Sequence, residues 1–487
     1  MRVTTISAFD PPPGDVVEWT AEPAPGHEFA PSDVPPSLNQ SFHLSALGDD
    51  GTPPPWLACT FELPGELDTD ALEAAFGQWV RRHAGLLSRF TEQDGEFRRA
   101  LLPADGVVLR RRESGAFTGS AAVREHLSRR FDEQCHPLRW PPFLLGAVRH
   151  EGGSTVFGAF DHSCVDAHSM AVAAHELQVL YFAAAAGTPP SLAEVGGFVD
   201  YCAQEHEAVA AEDLAAPGRP DTAEWDAPGP DGLPVPPPLP SGEHPAVTYW
   251  RDFLRDCGGT TPSFPLELGV EPGRPVRQRS MTARLLDAET ADAFDVTCRD
   301  GSGSAFTGVL AAAGLALREL GAGDRISLLI PLHTRHEPRW RHAVGWFTTN
   351  APVTFNVVDG RFADTHTHAK VGFREALGTL GVPLPNILAA VADEYRPVRK
   401  DIFMMSYVDY RAMPVSLEFP ESRPRHISSE TDADDVQLWV SRTSDGLFLR
   451  TRHPGVAAAE SAVRAFHDRF STALTAASEP RALATHR

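Results

Sequence analysis

Residues 161–170 carry the most information in this chain, and they read Asp161-His-Ser-Cys-Val-Asp-Ala-His-Ser-Met170. The apolar run before them, residues 155–160, predicts a buried strand, and the pattern over 169–186 predicts a helix. His162 and Asp166 are therefore placed where a strand turns into a helix. A carboxylate at a helix start can accept main-chain N–H bonds. An imidazole held beside it suits a general base, because its ordinary pKa lies near neutral pH.

The same residues allow three other interpretations. His162 could be a core histidine with satisfied hydrogen bonds. His162, Asp166 and His168 could bind a metal, although His-x-x-x-Asp-x-His is not a common zinc spacing. Ser163 or Cys164 could be a nucleophile, but the Gly-x-Ser-x-Gly elbow of serine hydrolases is absent.

The motif resembles the second His and the Asp of the His-His-x-x-x-Asp-Gly motif of condensation-domain acyltransferases. This superfamily includes peptide-synthetase condensation domains and the polyketide-associated acyltransferases. Further segments resemble the family in the same order along the chain, and they are Arg82-His83 with 86–90, 330–335, 344–352 and 401–408. The resemblance covers nearly the whole chain.

Several positions depart from the family pattern. Asp161 stands where the first His usually is, and Ala167 stands where Gly usually is. Near residue 350 the expected Asn position holds Thr349, with Asn350 one residue later. These changes leave His162 intact but alter its surroundings.

Leu87 stands where the family's Arg, a usual partner of the motif aspartate, is expected. Arg335 or Arg89 could take over as the partner of Asp166. Alternatively, Asp166 could be held by main-chain donors alone.

The resemblance implies an α/β fold with two pseudo-duplicated, chloramphenicol-acetyltransferase-like lobes. Each lobe has a mixed sheet, the shape is a V, and the active site lies in the tunnel between the lobes. We predict an N-terminal lobe over 1–215, beginning with an extended arm at 1–55, and a C-terminal lobe over 246–487. The linker at 216–245 is dense in Pro and Gly, and Pro there removes N–H donors and fixes φ, which prevents helix and central strand.

Periodicity predicts the main elements and places helices on one side of each sheet. Predicted helices cover 67–90, 121–131, 169–186, 198–214, a segment from 246, 287–300, 305–320, 365–378 and 457–477. Predicted strands cover 106–110, 143–149, 155–160, 280–285, 325–331, 351–357, 403–408, 437–442 and 447–452.

Composition excludes several classes of function. A net charge of −22 argues against a nucleic-acid partner, because a phosphate backbone needs a basic face. No stretch approaches the roughly 18 apolar residues of a membrane span, and the N-terminus shows no secretory signal. The six scattered cysteines predict reduced thiols in a cytoplasmic protein. A carrier-protein partner, itself acidic, would need a local arginine patch.

The resemblance implies transfer of an acyl group from a thioester to an alcohol or amine, in secondary-metabolite or complex-lipid biosynthesis. His162 would be the general base, and Asp166 would hold the loop. The donor would be an acyl or peptidyl carrier protein or acyl-CoA, so its phosphopantetheine or CoA arrives with it, and no metal or other cofactor is needed. The substrate-binding candidates are Ala167, Arg335, Trp346, Asn350 and Ser406.

We expect an ester product, because an alcohol needs a base more than a free amine does. A catalytically silent condensation-fold module that docks a carrier protein is the alternative. The departures at Leu87, Asp161 and Ala167 keep that alternative open.

Overall fold

The computed structural model describes residues 1–47, 53–211 and 244–479. These residues form two compact units. The first contains 1–208 with two later segments, 333–348 and 410–431, and the second contains the remainder. The predicted linker at 216–245 lies almost wholly outside the described residues, so that division stays a prediction.

The elements follow one another along the chain as short strands and helices joined by turns and brief 3-10 segments. The strands are β1 Arg2–Thr5, β2 Gly14–Pro23, β3 Ala30–Pro31, β4 Trp56–Pro64, β5 Ser88–Gln93, β6 Glu96–Leu101, β7 Val107–Phe117, β8 Phe143–His150, β9 Gly153–Asp161, β10 Val276–Asp287, β11 Arg325–His333, β12 Thr348–Asn356, β13 Met404–Asp409, β14 Arg425–Ser428, β15 Asp432–Ala433, β16 Gln437–Thr443 and β17 Gly446–Pro454. The helices are α1 Leu38–Ser45, α2 Thr69–Arg82, α3 Ser120–Gln134, α4 Ala167–Ala186, α5 Phe198–Ala211, α6 Pro245–Asp256, α7 Ala288–Asp300, α8 Ala305–Glu319, α9 Phe362–Leu377, α10 Leu384–Ala390, α11 Pro414–Glu418 and α12 Ala457–Ser478.

The first unit is built on a seven-stranded mixed sheet in the order β1-β14-β4-β9-β8-β2-β7. β1 and β14 are parallel, and the pairings of β14 with β4, β4 with β9, β9 with β8, β8 with β2 and β2 with β7 are antiparallel. β9 lies between β4 and β8, and every one of its residues is buried. The strand that leads into the motif is therefore a rigid support.

Helices cover both faces of this sheet, which corrects the prediction of helices on one side. The Phe157 ring of β9 packs against Phe131 of α3, with centroids 5.5 Å apart. The Phe160 ring packs at 5.5 Å against Trp79 of α2. Residues three apart on a strand point to opposite faces, and a strand buried along its whole length requires a cover on each face.

The second unit has its own seven-stranded mixed sheet, in the order β12-β11-β13-β16-β17-β10-β15. β13 pairs parallel with both β11 and β16, whereas β17 pairs antiparallel with β16 and β10. Helices α7, α8, α9 and α12 contribute apolar residues to the core of this unit. The predicted strands and helices of the C-terminal half each have a counterpart here.

The predicted arm at 1–55 is wrong for much of its length. β2 is an internal strand between β8 and β7, and Val16, Val17 and Trp19 are fully buried. The polar Glu18 interrupts the apolar run, which hides the strand from a periodicity analysis, although Glu18 is itself buried against Arg130 and His126.

The predicted helix over 67–90 is also too long. α2 ends at Arg82, a 3-10 turn covers Ala84–Leu87, and Ser88 begins β5. His83 has extended backbone angles, with φ −110° and ψ 91°, which end the helix. Leu86 and Leu87 are buried in the turn, so their apolar character reflects packing and not helical periodicity.

The two units, each a mixed sheet with helices, confirm the predicted α/β fold class with two lobes. The V shape and the tunnel stay predictions. Among the described residues, no helix combines the length and the apolar character that crossing a membrane requires.

Candidate active site

His162 begins a short 3-10 turn, His162–Cys164, directly after the last residue of β9. The main-chain N–H of His162 donates to the Pro55 carbonyl at 3.0 Å, and that of Asp161 donates to Pro142 at 2.8 Å. The turn is thereby fixed to the ends of the neighbouring strands. We call His162–Cys164 the motif turn.

The His162 ring is half-buried and stacks on the Trp346 ring, with centroids 3.9 Å apart and planes inclined by 28°. Its Nδ1 atom is buried and has no well-formed hydrogen bond among the described residues. Burial, followed by the nearby His43, lowers the pKa of His162 to about 4. The imidazole is therefore neutral at pH 7 and can accept a proton.

Asp166 is the N-cap of α4, and its carboxylate accepts the Ser169 N–H at 2.7 Å and the Ser169 hydroxyl at 2.8 Å. The Phe347 N–H donates to the same carboxylate at 3.1 Å. Burial favours the neutral acid, but Arg335, His168 and Ser169 hold the pKa of Asp166 below its ordinary value. Asp166 is thus an ionised carboxylate with a structural role. Its oxygens accept hydrogen bonds, and it carries no proton that it could donate.

Arg335 is the side-chain partner of Asp166. It takes the place of the arginine that the resemblance expects at position 87, where this chain has Leu87. Its Nη2 donates to both carboxylate oxygens, at 2.9 and 3.0 Å. Its Nη1 donates to the Trp340 and Ala343 carbonyls, and the guanidinium lies 4.1 Å from the Phe347 ring centroid. Arg89 instead stacks on Phe29 at 4.3 Å.

The Asp166–Arg335 pair fastens the motif to residues 333–348, which we call the inserted segment because they join the first unit from later in the chain. Ser169 adds a second link, since its hydroxyl oxygen accepts the Gly345 N–H at 3.2 Å. Trp346 lies between these anchored residues and therefore reaches His162 in a defined orientation.

The remaining predicted residues are distributed between the units. Ala167 is the first residue of α4, where main-chain N–H groups have no intrahelical partner. Asn350 lies in β12 and Ser406 in β13, both within the second unit. Their roles in substrate binding stay predictions.

Of the side chains near His162 in the sequence, His168 has another hydrogen-bond partner and Cys164 is a protonated thiol. The His168 Nε2 donates to the Arg341 carbonyl at 2.9 Å, and burial lowers the pKa of His168 to about 4. Burial raises the pKa of Cys164 to about 12, so its thiol stays protonated and is a poor nucleophile. Within the described part of the chain, no three His, Cys, Asp or Glu side chains are grouped to hold a metal ion.

Sequence reasoning missed His43, whose ring lies beside Asp161 and Trp346. It belongs to α1, inside the region predicted as an irregular arm. Ser37 and Gln40 form a capping box at the start of this helix. That Ser-x-x-Gln spacing is a recognised start signal and would have predicted the helix.

Comparison with known proteins supports this organisation. A family model described as Condensation domain matches residues 56–216. Trehalose-2-sulfate acyltransferase PapA2 of Mycobacterium tuberculosis (strain ATCC 25618 / H37Rv) is 28% identical over 454 residues, covering 90% of this chain and 89% of that protein. The 2'-acyl-2-O-sulfo-trehalose (hydroxy)phthioceranyltransferase PapA1 of Mycobacterium tuberculosis (strain CDC 1551 / Oshkosh) is 25% identical over 427 residues, covering 85% and 76%.

The solved structure of a PapA2 acyl transferase superposes with a TM-score of 0.82 at 24% identity, covering 99% of this chain and 100% of that one. In its fold, its motif turn and these likenesses, the chain is similar to proteins of the condensation-domain superfamily. Its enzyme class is acyltransferase, and its similarity to PapA-type proteins extends over most of its length. The family predicted from the sequence motifs is confirmed.

Proposed function

We propose that this acyltransferase joins an acyl thioester to an alcohol, with His162 as the general base and an ester as the product. The observation that carries the proposal is the environment of His162. Its ring is stacked on Trp346 and located at the end of a fully buried strand. A base in this setting does not need to be reoriented during the reaction.

In the proposed reaction, Nε2 of His162 takes the hydroxyl proton as the acceptor oxygen attacks the thioester carbonyl. We choose Nε2 because Nδ1 is buried. The tetrahedral oxyanion is stabilised by main-chain N–H groups at the start of α4, near Ala167. When the carbon–sulfur bond breaks, the leaving thiolate takes the proton back from His162, so thioester plus alcohol gives ester plus thiol.

We propose a carrier-protein or coenzyme A thioester as the acyl donor, because the fold is that of condensation domains. For the acceptor, the names of both M. tuberculosis relatives describe acyl transfer involving a sulfated trehalose. A carbohydrate hydroxyl is therefore the first acceptor class to test. An alcohol, with a pKa far above that of imidazole, also depends more on a base than an amine does.

A catalytically silent module that docks a carrier protein is the competing function. Asp161 and Ala167 favour it, because they depart from the family motif. Leu87 no longer favours it, since Arg335 supplies the missing partner of Asp166.

One experiment separates the two functions. Purified protein is incubated with a panel of acyl-CoA and acyl-carrier thioesters and with carbohydrate acceptors, and products are identified by mass spectrometry. His162→Ala should lower turnover by at least about 10²-fold while the protein stays folded. His150→Ala is the matched control, because His150 lies at the opposite end of the β8–β9 pair. No product from any thioester, or full turnover in His162→Ala, contradicts the proposed mechanism.

A further inference from the structure

A buried hydrogen bond between a histidine and an aspartate adjoins the motif turn. The His43 Nε2 is 3.0 and 3.2 Å from the two carboxylate oxygens of Asp161. His43 is 8% exposed and Asp161 is fully buried. Asp161 occupies the position at which the resemblance expects the first histidine of the motif. In this chain α1 supplies an imidazole at this place, and the motif supplies a carboxylate.

Helix α1 contacts the motif turn and the residue before it through two side chains on one face. His43 bonds Asp161, and Gln40 donates from Nε2 to the Ser163 carbonyl at 2.9 Å. Asp161 in turn accepts the Ser163 N–H at 2.9 Å. Residues three apart on a helix point in the same direction, so α1 holds the turn on both sides of His162.

The same helix reaches His162 through Trp346. The His43 and Trp346 rings meet edge to face with centroids 6.0 Å apart. The His162 ring stacks on the same Trp346 ring. A shift of His43 would therefore move the surface on which the base rests. Positional errors of this kind are costly when two substrates must be aligned with one base.

We propose, resting on the function proposed above, that His43 is a positioning residue whose buried hydrogen bond with Asp161 fixes the motif turn and the Trp346 ring. His43 acts in two ways. Its hydrogen bond holds Asp161 directly before the base, and its ring edge contacts the tryptophan on which His162 stacks.

Three variants test this inference. His43→Gln removes the imidazole that bonds Asp161 and contacts Trp346, so kcat should fall at least about tenfold while KM changes by less than about threefold. Asp161→Asn weakens the same contact and should also lower kcat. The double variant should lose no more than the worse single variant, because the two residues act as one unit.

His126→Gln is the matched control, because His126 forms a similarly buried pair with Glu18, at 3.1 Å, elsewhere in the first unit. It should lower the melting temperature without changing kcat. The NMR signals of the His162 ring, assigned by their absence in His162→Ala, should shift in His43→Gln and not in His126→Gln, and they report the stack on Trp346 without turnover.

A folded His43→Gln variant with the kcat of the wild type overturns the inference. Additive losses in the double variant overturn the argument that His43 and Asp161 act as one unit. If His43→Gln does not fold, a wild-type kcat in Asp161→Asn is the overturning result. Failure of the wild type to transfer any acyl group would instead reject the proposed function, and the NMR signals would still report the effect of His43 on His162.

Discussion

The Nη2 atom of Arg335 donates to both carboxylate oxygens of Asp166, at 2.9 and 3.0 Å, although the two residues are far apart in the chain. Both side chains are almost fully buried. The pair joins the start of α4 to the inserted segment, and so it connects the motif to the tryptophan that supports His162. Burial makes this connection stable only as long as both charges are present.

We expect Asp166→Asn to lower the free energy of unfolding by about 3 kcal/mol or more, because it leaves Arg335 as a buried charge without its counter-ion. Activity should fall together with stability. Urea denaturation followed by circular dichroism measures the first effect, and Glu133→Gln, which breaks exposed pairs with Arg129 and Arg130, should change stability by less than about 1 kcal/mol. A variant that loses activity at unchanged stability would assign Asp166 a part in proton transfer.

The pH dependence of the reaction should reflect the low pKa of His162. Burial and His43 lower that pKa to about 4, and the neutral imidazole is the active form. Activity should therefore be constant above the ordinary histidine pKa of about 6.5 and should fall only as the pH approaches the lowered value. The measurement is kcat/KM from pH 4 to 8, and an acidic limb centred near pH 6.5 would contradict this assignment.

Stability should also decline in acid because of buried histidines. Burial lowers the pKa of His467 to about 4, and its Nε2 lies 2.6 Å from the Thr451 hydroxyl. Since the folded pKa is below the unfolded one, the stabilising contribution is complete above pH 6.5 and is lost as the pH falls toward 4. Each such residue adds up to about 1.4 kcal/mol per pH unit to the slope. His467→Gln should flatten the melting-temperature profile in this window, whereas an unchanged slope would show that His467 is not neutral when folded.

The aromatic support of the base can be tested at Trp346, whose ring stacks on His162 at 3.9 Å. Trp346→Phe keeps an aromatic face and should lower kcat only a few-fold. Trp346→Ala leaves the imidazole free to rotate, so kcat should fall by at least about tenfold. Equal kcat values in the two variants would show that the stack does not orient His162.

We expect chelation to leave the transfer reaction unchanged. Asp166 is engaged by Arg335 and His168 by the Arg341 carbonyl, so these side chains are not directed to a common ion with His162. Activity and melting temperature are compared before and after treatment with EDTA, and elemental analysis should find no stoichiometric metal. Activity that disappears with chelator and returns with zinc would replace the proposed mechanism by a metal-dependent one.

The amino-acid sequence alone determined the local features of this protein. The motif of 161–170, the strand before it and the helix after it were predictable because apolar periodicity reports which face of an element is buried. The order of the flanking motifs predicted the superfamily. The strands and helices of the C-terminal half were predictable for the same reason, since each carries a pattern over its own length.

Tertiary structure decided which distant residues meet. The sequence left Arg335, Arg89 and main-chain donors as equal candidates for Asp166, and only the return of residues 333–348 to the first unit selected Arg335. His43 was invisible as a site residue for the same physical reason. In both cases two buried polar side chains become partners only when folding brings them together. Neither partner belongs to a local sequence pattern that identifies the other.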